Sequence, residues 1–163
     1  MNIRGRNLQE ADEQESIENC CAEYYRSKCR RNAKDARYRL LDWFVWMDVE
    51  IDNIRSVLQR CLKTGDVEGG LDLANSLGWY WITRATTEGA GWLEDLLEAG
   101  SSRQAGLEAR SYFMRGFLAV LQADPTVARA ALAQAVAVAR TAGQPRVLSE
   151  SLSNGLHRRG HGW

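Results

Sequence analysis

The chain of 163 residues is 45% hydrophobic and 9% aromatic, which is enough apolar material for one compact domain or about four short helical hairpins. Its 21 basic and 21 acidic residues cancel, so no overall field draws it to nucleic acid or to anionic lipid. The longest apolar runs are about five residues, far below the roughly 20 that span a bilayer. The first residues, MNIRGRNLQEADEQ, lack the apolar core of a secretory signal. We therefore expect a cytoplasmic protein without a membrane segment.

A helix is predicted over residues 11–31, after a lead-in, residues 1–10, that we expect to be disordered. The second helix, residues 38–63, is the clearest, because its apolar residues recur at steps of three and four and form one stripe. The stripe consists of Met47, Ile51, Ile54, Leu58, Cys61 and Leu62. The first part of this helix, residues 40–47, is apolar nearly all round. We expect that part to be buried on several faces, or kinked and wedged between neighbouring helices.

Four cysteines bear on redox state and metal binding: Cys20, Cys21, Cys29 and Cys61. They do not form the C-x2-C pairs that zinc sites use, and both histidines, His157 and His161, lie near the end of the chain. On one helix, Cys20 and Cys29 point about 180° apart. We expect reduced thiols packed in helix interfaces, as in a cytosolic protein, and no metal ion or other cofactor.

Turn signals then separate two further helices. Gly65 permits a left-handed helix end, and Asp66 can accept hydrogen bonds from the first N–H groups of a third helix, residues 67–84. The wide apolar face of that helix suits packing between two partners. Thr86 or Thr87 can cap a fourth helix.

A fifth helix is predicted over residues 103–122. A sixth begins at Asp124-Pro125, because proline at the first helical position gives up an N–H that has no partner, and it continues to about Thr141. The residues of the fifth helix that share one phase, and are expected to point inward, are Ala109, Tyr112, Phe113, Gly116, Phe117 and Val120. A seventh helical segment begins near Arg146 and is followed by a tail, residues 155–163, that we expect to be disordered.

No stretch alternates apolar and polar residues as a strand does, so the predicted fold is all-α. Helices of this length with short links are antiparallel neighbours. The pair at residues 103–141 matches the tetratricopeptide spacing, with Gly116 and Ala128 where the two helices cross closest. Residues 11–154 are therefore predicted to form one domain of tetratricopeptide-like antiparallel hairpins, stacked as a short right-handed solenoid.

Several motifs in the middle of the chain resemble a known family. They are Glu50-Ile51-Asp52-Asn53-Ile54-Arg55, Gly65-Asp66, Leu77-Gly78-Trp79-Tyr80-Trp81, Glu88-Gly89 and Trp92-Leu93. Over residues 20–153 the chain resembles the helical-repeat region of bacterial LuxR-type and AfsR-like signal-transduction ATPases, which are transcriptional regulators. The resemblance implies a sensor or interaction region that links signal or partner binding to the ATPase.

The chain also departs from that family. Ala85 stands where the family usually has glycine, and Ala90 stands where it favours arginine. No G-x-x-x-x-G-K-[ST] phosphate loop occurs, and no helix-turn-helix is recognisable after the repeats. By resemblance, the chain corresponds to the middle of such a regulator without its ATPase and DNA-binding parts. A truncated remnant of a longer regulator is therefore an alternative interpretation.

A basic run in the first helix and the turn after it is the clearest charged feature. Its members are Arg26, Lys28, Arg30, Arg31, Lys34, Arg37 and Arg39. Such a cluster can contact phosphates, but it is more often a solvated face or a joint with a neighbouring domain. The zero net charge disfavours nucleic acid. A DNA-binding regulator that acts through residues 26–39 is a further alternative.

Other polar and aromatic residues are better explained by structure than by chemistry. The acidic pairs Glu50/Asp52 and Glu94/Asp95 point in different directions on a helix, so neither forms a facing carboxylate pair, and we expect no enzyme.

Two further residues that belong to the motifs or adjoin them are expected to stabilise the fold. Asn53 is expected to bond a neighbouring loop backbone and Arg84 to pair with Glu88, rather than to contact a ligand. A tryptophan cluster is expected to form repeat core rather than a ligand cage. Its members are Trp79, Trp81 and Trp92.

The sequence thus predicts a non-catalytic scaffold that binds a protein or peptide. No residue is given a catalytic, cofactor-binding or metal-binding role, and the partner-binding residues are left unassigned. A stacked helical array offers a face whose polar residues select the partner. Val147, Leu148 and Leu152 leave the last helix with an uncovered apolar side, so self-association through this uncapped C-terminal helix is a second expectation.

Overall fold

The computed structural model describes residues 3–35, 38–100 and 104–141, with side chains from residue 10 onward. These residues form helices and no strand, which confirms the all-α prediction. The helices are α1 (Ile3–Asp35), α2 (Leu40–Thr64), α3 (Val67–Ser76), α4 (Gly78–Thr83), α5 (Thr86–Ala99), α6 (Ala105–Leu121) and α7 (Pro125–Thr141). The predicted C-terminal helix with Val147, and the tail at 155–163, lie outside the described residues.

The helix α3 occupies the centre of the described fold, because it packs against α1, α2, α5 and α6. The helix α2 also contacts α1 and α5, and α4 contacts α5 and α6. The pair α6 and α7 has the most extensive contact of all. One cluster of buried apolar side chains extends from Ala22 in α1 to Leu118 in α6, so these helices share a single core.

The helix α1 is longer at both ends than the predicted 11–31. Its buried side chains are few: Ala22, Tyr25 and Cys29 recur at steps of three and four on one side. The remainder of the described surface of α1 is exposed or half-buried. The helix therefore attaches to the core through a narrow stripe and presents most of its polar residues to solvent.

The predicted stripe of α2 is confirmed, since Met47, Ile51, Ile54, Leu58 and Cys61 are buried.

The prediction that the first turns of α2 are buried on several faces is wrong. Leu41 and Val45 are 81% and 70% exposed, whereas Met47 is fully buried. Val45 precedes Met47 by two residues and so lies about 200° around the helix from it. Neighbouring helices cover the Met47 side of α2, and the opposite apolar side faces solvent.

The predicted stops and caps that rest on local hydrogen bonding are confirmed. Gly65 takes the left-handed conformation at φ 73°, and its N–H donates to the carbonyl of Cys61. The carboxylate of Asp66 accepts from the N–H of Gly69 at 3.0 Å. The carboxylate of Asp124 accepts from the N–H of Val127 at 3.0 Å. These bonds satisfy donors that every helix start leaves unpaired.

The predicted threonine cap of α5 is wrong. The residue before the helix is Ala85, and it makes no side-chain cap. Thr86 already belongs to the helix, and its hydroxyl donates to the carbonyl of Trp81 at 3.0 Å. The hydroxyl thus pairs with a carbonyl at the end of α4 instead of accepting from an N–H at the start of α5.

The predicted third helix, residues 67–84, is broken in two at Leu77, between α3 and α4. At this break the N–H of Leu77 donates to the carbonyl of Ala74 at 3.2 Å. The indole N–H of Trp81 donates to the same carbonyl at 2.8 Å. A buried carbonyl without a partner is costly, so the indole stabilises the break. The helical spacing of apolar residues continues across this break. The sequence pattern therefore indicates a single helix.

The prediction that α6 and α7 cross closely at small residues is confirmed. A Cβ atom at Gly116 would lie 2.8 Å from Cγ of Leu132 and 3.3 Å from the carbonyl oxygen of Ala128. The separate prediction of one apolar phase on α6 does not hold as a buried face, because Phe117 and Val120 are 38% and 55% exposed. No described helix packs on that side of α6.

Two glycines of α5 allow a direct test of close packing. A Cβ at Gly89 would lie 2.3 Å from Cγ of the buried Trp81, whereas a Cβ at Gly91 would meet nothing within 4 Å. We expect Gly89→Ala to lower the free energy of unfolding by about 2 kcal/mol, because overpacking outweighs the gain in helix propensity. Gly91→Ala should raise it by ~0.5–1 kcal/mol. Urea denaturation followed by circular dichroism measures both, and equal effects would contradict the proposed contact.

Candidate functional site

A polar groove of about 740 Å³ lies between α1, α3 and the start of α6. The side chains that line it are Glu23, Arg26, Arg30, Asp66, Glu68, Asp72, Gln104, Leu107 and Arg110. Seven of these nine carry a charge at neutral pH, and both signs are present. The groove is therefore suited to a polar or charged partner rather than to a small apolar ligand.

Arg26 lines the inner wall of the groove. Its guanidinium donates to the carboxylate of Asp66 and to Sγ of Cys61, the latter at 3.3 Å. Asp66 also caps α3, so one carboxylate connects α1 to the start of α3. The Arg26 side chain is only 17% exposed, and its Nε has no hydrogen-bond partner within the described part of the chain. Burial and these bonds hold Arg26 in one position.

The outer wall is formed one helical turn further along α1. Arg30 donates from Nε and Nη2 to the same carboxylate oxygen of Asp72, at 3.0 and 2.6 Å. Arg26 and Arg30 therefore lie on the same side of α1 and pair with aspartates of α3. Charge-assisted hydrogen bonds of this kind are stronger than neutral ones, although the Arg30 pair is open to solvent.

These pairs change the interpretation of the basic run. Besides Arg26 and Arg30, Arg39 pairs with Asp42 at 2.9 Å, and the ammonium of Lys28 lies 5.8 Å from the ring centroid of Trp46. Four members of the run thus contact partners within the chain. Arg37 lies outside the described residues. The contacts of Arg26, Lys28 and Arg30 connect α1 to α2 or α3, the Arg39 pair is local to the start of α2, and Arg31 and Lys34 are exposed.

A pair of hydrogen-bonded polar side chains joins α3 to α6. Asn75 donates to the hydroxyl of Ser111 at 2.6 Å and to the carbonyl of Leu71 at 2.8 Å. Ser111 is fully buried and donates to the carbonyl of Leu107 at 2.9 Å. Because these buried polar groups are paired, they specify how α6 sits on α3. At the rim, Arg110 is exposed and has no ion-pair partner among the described residues.

The motifs that resemble the regulator family meet in the structure. Arg55 donates from Nε and Nη2 to the two carboxylate oxygens of Glu88, each at 2.7 Å. Its Nη1 donates to Asp52 at 2.7 Å, and Trp92 donates to Glu88 at 3.1 Å. A bidentate arginine–carboxylate pair therefore connects α2 to α5. The two motif segments stabilise the fold through this pair.

The expected pairing of Arg84 with Glu88 is wrong, because Arg55 occupies that carboxylate. Arg84 instead lies 3.8 Å from the carboxylate of Asp48. Its guanidinium carbon is 4.9 Å from the ring centroid of Phe44. Arg84 thus joins the end of α4 to α2 by a cation–π contact and a weak ion pair.

The expected bond from Asn53 to a loop backbone is also wrong. Asn53 donates to the carboxylate of Glu50 at 2.9 Å, and the hydroxyl of Tyr25 donates to the same oxygen at 2.6 Å. Burial, followed by the bond to Glu50, raises the pKa of Tyr25 to about 12. The bonds from Tyr25 and Asn53 lower the pKa of Glu50. These residues connect α1 to α2.

The tryptophan cluster is only partly core. Trp81 is fully buried, which confirms the prediction for that residue. Trp92 is half-buried and packs against the core. Trp79 is 41% exposed, so the core prediction is wrong there. The three indoles do not surround a common cavity among those described, since none of them lines the groove.

Within the described part of the chain, no three His, Cys, Asp or Glu side chains are grouped so that they could hold a metal ion. None of the described helices is long and apolar enough to cross a membrane.

No protein-family model, curated protein or solved structure matches this chain. The relationship to LuxR-type or AfsR-like regulators therefore stays a hypothesis that rests on the motifs.

The groove is the feature that sequence reasoning did not find. Its lining residues come from three helices that are far apart along the chain. The available signal was the spacing of Arg26 and Arg30, one turn apart on α1, because side chains at that spacing face the same way. Nothing in the sequence names the aspartates that pair with them.

The Arg55–Glu88 pair predicts a pH dependence of stability. Hydrogen bonds from Arg55 lower the pKa of Glu88 below its ordinary value of 4.5. The pair therefore stabilises the fold fully above pH 4.5, and this contribution is lost as the pH falls through the lower pKa of the folded state. We expect Glu88→Gln to lower the free energy of unfolding at pH 7 by about 1 kcal/mol.

The difference between Glu88→Gln and the unchanged protein should shrink in urea denaturation below pH 4.5. Glu98→Gln is the matched control, because Glu98 is an exposed glutamate of the same helix. An effect of Glu88→Gln that stays constant with pH, or equals that of the control, would refute the role of the pair.

The cysteines divide into two classes, which corrects the prediction that all are packed in interfaces. Cys29 and Cys61 are buried, whereas Cys20 and Cys21 are exposed. Burial raises the pKa of Cys29 to about 12 and raises that of Cys61 despite the nearby guanidinium of Arg26.

We expect iodoacetamide at pH 8 to label Cys20 and Cys21 at least about tenfold faster than Cys29 and Cys61, because only an accessible thiolate reacts. All four should react in urea. Peptide mass spectrometry measures each rate, and similar rates for the four thiols in the folded protein would be inconsistent with this burial.

Proposed function

We propose that this chain is a non-catalytic helical-repeat scaffold that binds a protein or peptide partner in the groove between α1, α3 and α6. We further propose that it is related to the sensor or interaction region of LuxR-type and AfsR-like transcriptional regulators. The observation that carries the binding proposal is that three helices remote in sequence line one continuous polar groove.

The order of helix packing supports an arrangement of stacked hairpins. We take the units of this proposed array to be α1 with α2, the broken helix α3–α4 with α5, and α6 with α7. The first helix of each unit contacts the first helix of the next, since α1 packs on α3 and α3 packs on α6. This is the neighbour relation of a tetratricopeptide-like solenoid, in which the first helices line the binding face.

The groove is also held ready for a partner. Two arginine–aspartate pairs connect its walls, and the Asn75–Ser111 bond joins α3 to α6, before any ligand arrives. A preformed site loses less conformational entropy on binding. Arg110 then offers a cation at the rim, while Glu23 lies across the groove on α1. The partner that fits best is a peptide segment with charges of both signs.

Selection of displayed peptides against the full chain tests this proposal. Selected peptides should bind with Kd values in the micromolar range, and Arg110→Glu should weaken them by about tenfold, because one charge contact reverses its sign. Lys63→Glu is the matched control, since Lys63 is an exposed cation near the end of α2, outside the groove.

Photo-crosslinking in the cell connects the selection to a natural partner. A photoreactive amino acid at position 110 should give an adduct with another protein that the selected peptide competes away, and the same group at position 63 should not. Selected peptides that ignore Arg110→Glu, or equal crosslinking from both positions, would count against the groove.

A further inference from the structure

The last hairpin, α6 with α7, exposes apolar residues that do not line the groove. Phe117, Val120 and Val136 are 38%, 55% and 37% exposed. The ring of Phe117 stacks on that of Phe113 at a centroid distance of 6.5 Å. We call these four residues the end face. Large apolar side chains grouped at a surface usually mark an interaction site.

The end face lies on the side of the hairpin away from α5. Arg115 reaches Glu94 of α5 at 2.9 Å, and Phe117 lies two residues later, about 200° around α6. On α7, Val127 lines a cavity together with Glu94 of α5. Val136 lies nine residues after Val127, about 180° around α7. Both helices therefore turn these apolar residues away from the rest of the fold.

The border of the end face is cationic. Arg129 and Arg140 lie within about 40° of Val136 around α7. Both are exposed, and neither has an ion-pair partner among the described residues. The acidic residues of α6 and α7 are Glu108 and Asp124.

Neither acidic residue can neutralise this border. Glu108 lies about 180° around α6 from Phe117. The carboxylate of Asp124 accepts from the first N–H groups of α7. The end face thus combines an apolar centre with unopposed positive charge.

The chain's own candidates for covering this surface have the wrong charge. In a symmetric contact between two copies, each arginine border would lie against the other, and like charges across an interface disfavour binding. Residues 142–163 carry Arg146, Arg158 and Arg159 against the single acidic residue Glu150. Its predicted helical part, residues 146–154, contains Arg146 and Glu150 as its only charged residues, so it brings no net negative charge to a positive border. A complementary occupant has to bring carboxylates.

We propose that the end face docks an amphipathic helix of another protein, one with an apolar stripe and acidic flanks. The groove between two antiparallel 17-residue helices is about 25 Å long, which matches a helix of four to five turns. Helices bind such grooves through apolar residues at steps of three and four. The carboxylates beside that stripe would pair with Arg129 and Arg140. The four residues of the end face do not line the groove between α1, α3 and α6.

Two synthetic amphipathic helices with the same leucine stripe test the proposal on the full chain. One carries glutamate flanks and the other lysine flanks, and fluorescence anisotropy measures their affinities. We expect the glutamate helix to bind about tenfold tighter than the lysine helix. The double variant Arg129→Glu with Arg140→Glu should reverse this preference, and Phe117→Glu should abolish binding of both.

Leu41→Glu is the matched control, because Leu41 is an exposed apolar residue of α2 far from the end face in sequence. It should leave both affinities unchanged. Thermal unfolding followed by circular dichroism checks that each variant is folded. Binding that ignores the flanks, or that is lost in Leu41→Glu but retained in Phe117→Glu, would overturn the proposal.

Three further measurements identify other occupants, and each positive result would also overturn it. Binding that appears only in the double variant Val147→Ser with Leu148→Ser would assign the end face to the chain's own C-terminal segment. A mass that doubles with concentration, except in Phe117→Glu, would assign it to a second copy. Sedimentation with anionic phospholipid vesicles that depends on Phe117 would assign it to a lipid surface. Absence of all three supports the helix as occupant.

Discussion

The indole of Trp81 packs against α5 where residue 89 is glycine, and its N–H donates a second hydrogen bond to the carbonyl of Ala74, which also accepts from Leu77 at the break between α3 and α4. The position of Trp81 needs both the packing against Gly89 and the hydrogen bond to the carbonyl of Ala74. Without the glycine the indole could not approach, and without the indole the buried carbonyl of Ala74 would lack this partner. The position of Trp81 thus determines how α3, α4 and α5 fit around one core. The groove depends on the position of Trp81, because residues of α3 line the groove.

Ion pairs then attach α1 and α2 to the helices around Trp81. Arg26 and Arg30 attach α1 to α3, and Arg55 attaches α2 to α5. Each of these guanidiniums has a carboxylate partner on another helix, so charged residues that look like a binding surface in the sequence serve mainly to align helices. This explains why motif residues such as Arg55 contribute to structure, while the groove is lined largely by residues outside the motifs.

The apolar surface of the molecule is distributed unevenly. Leu41 and Val45 on α2 and the end face on α6 and α7 are exposed, while the helices between them are covered on most sides. A short stack of helices has neighbours in the middle and none at its ends, so the same amphipathic pattern is buried centrally and exposed terminally. The predicted inward positions of Phe117 and Val120 were wrong for this reason. Their pattern is that of a packed helix, and no described helix packs there.

The sequence by itself determined the helices and most of their ends, because these depend on residues within about four positions of one another. The stop at Gly65, the cap at Asp66, the helix start at Asp124-Pro125 and the close crossing at Gly116 could all be predicted in this way. Tertiary structure alone decided the break at Leu77, the pairing of Arg55 with Glu88, and the formation of the groove at the candidate site. Each of these depends on atoms that are distant along the chain, and many pairings of charged and apolar residues are equally compatible with the local pattern. Only the packed arrangement of all the helices selects among them.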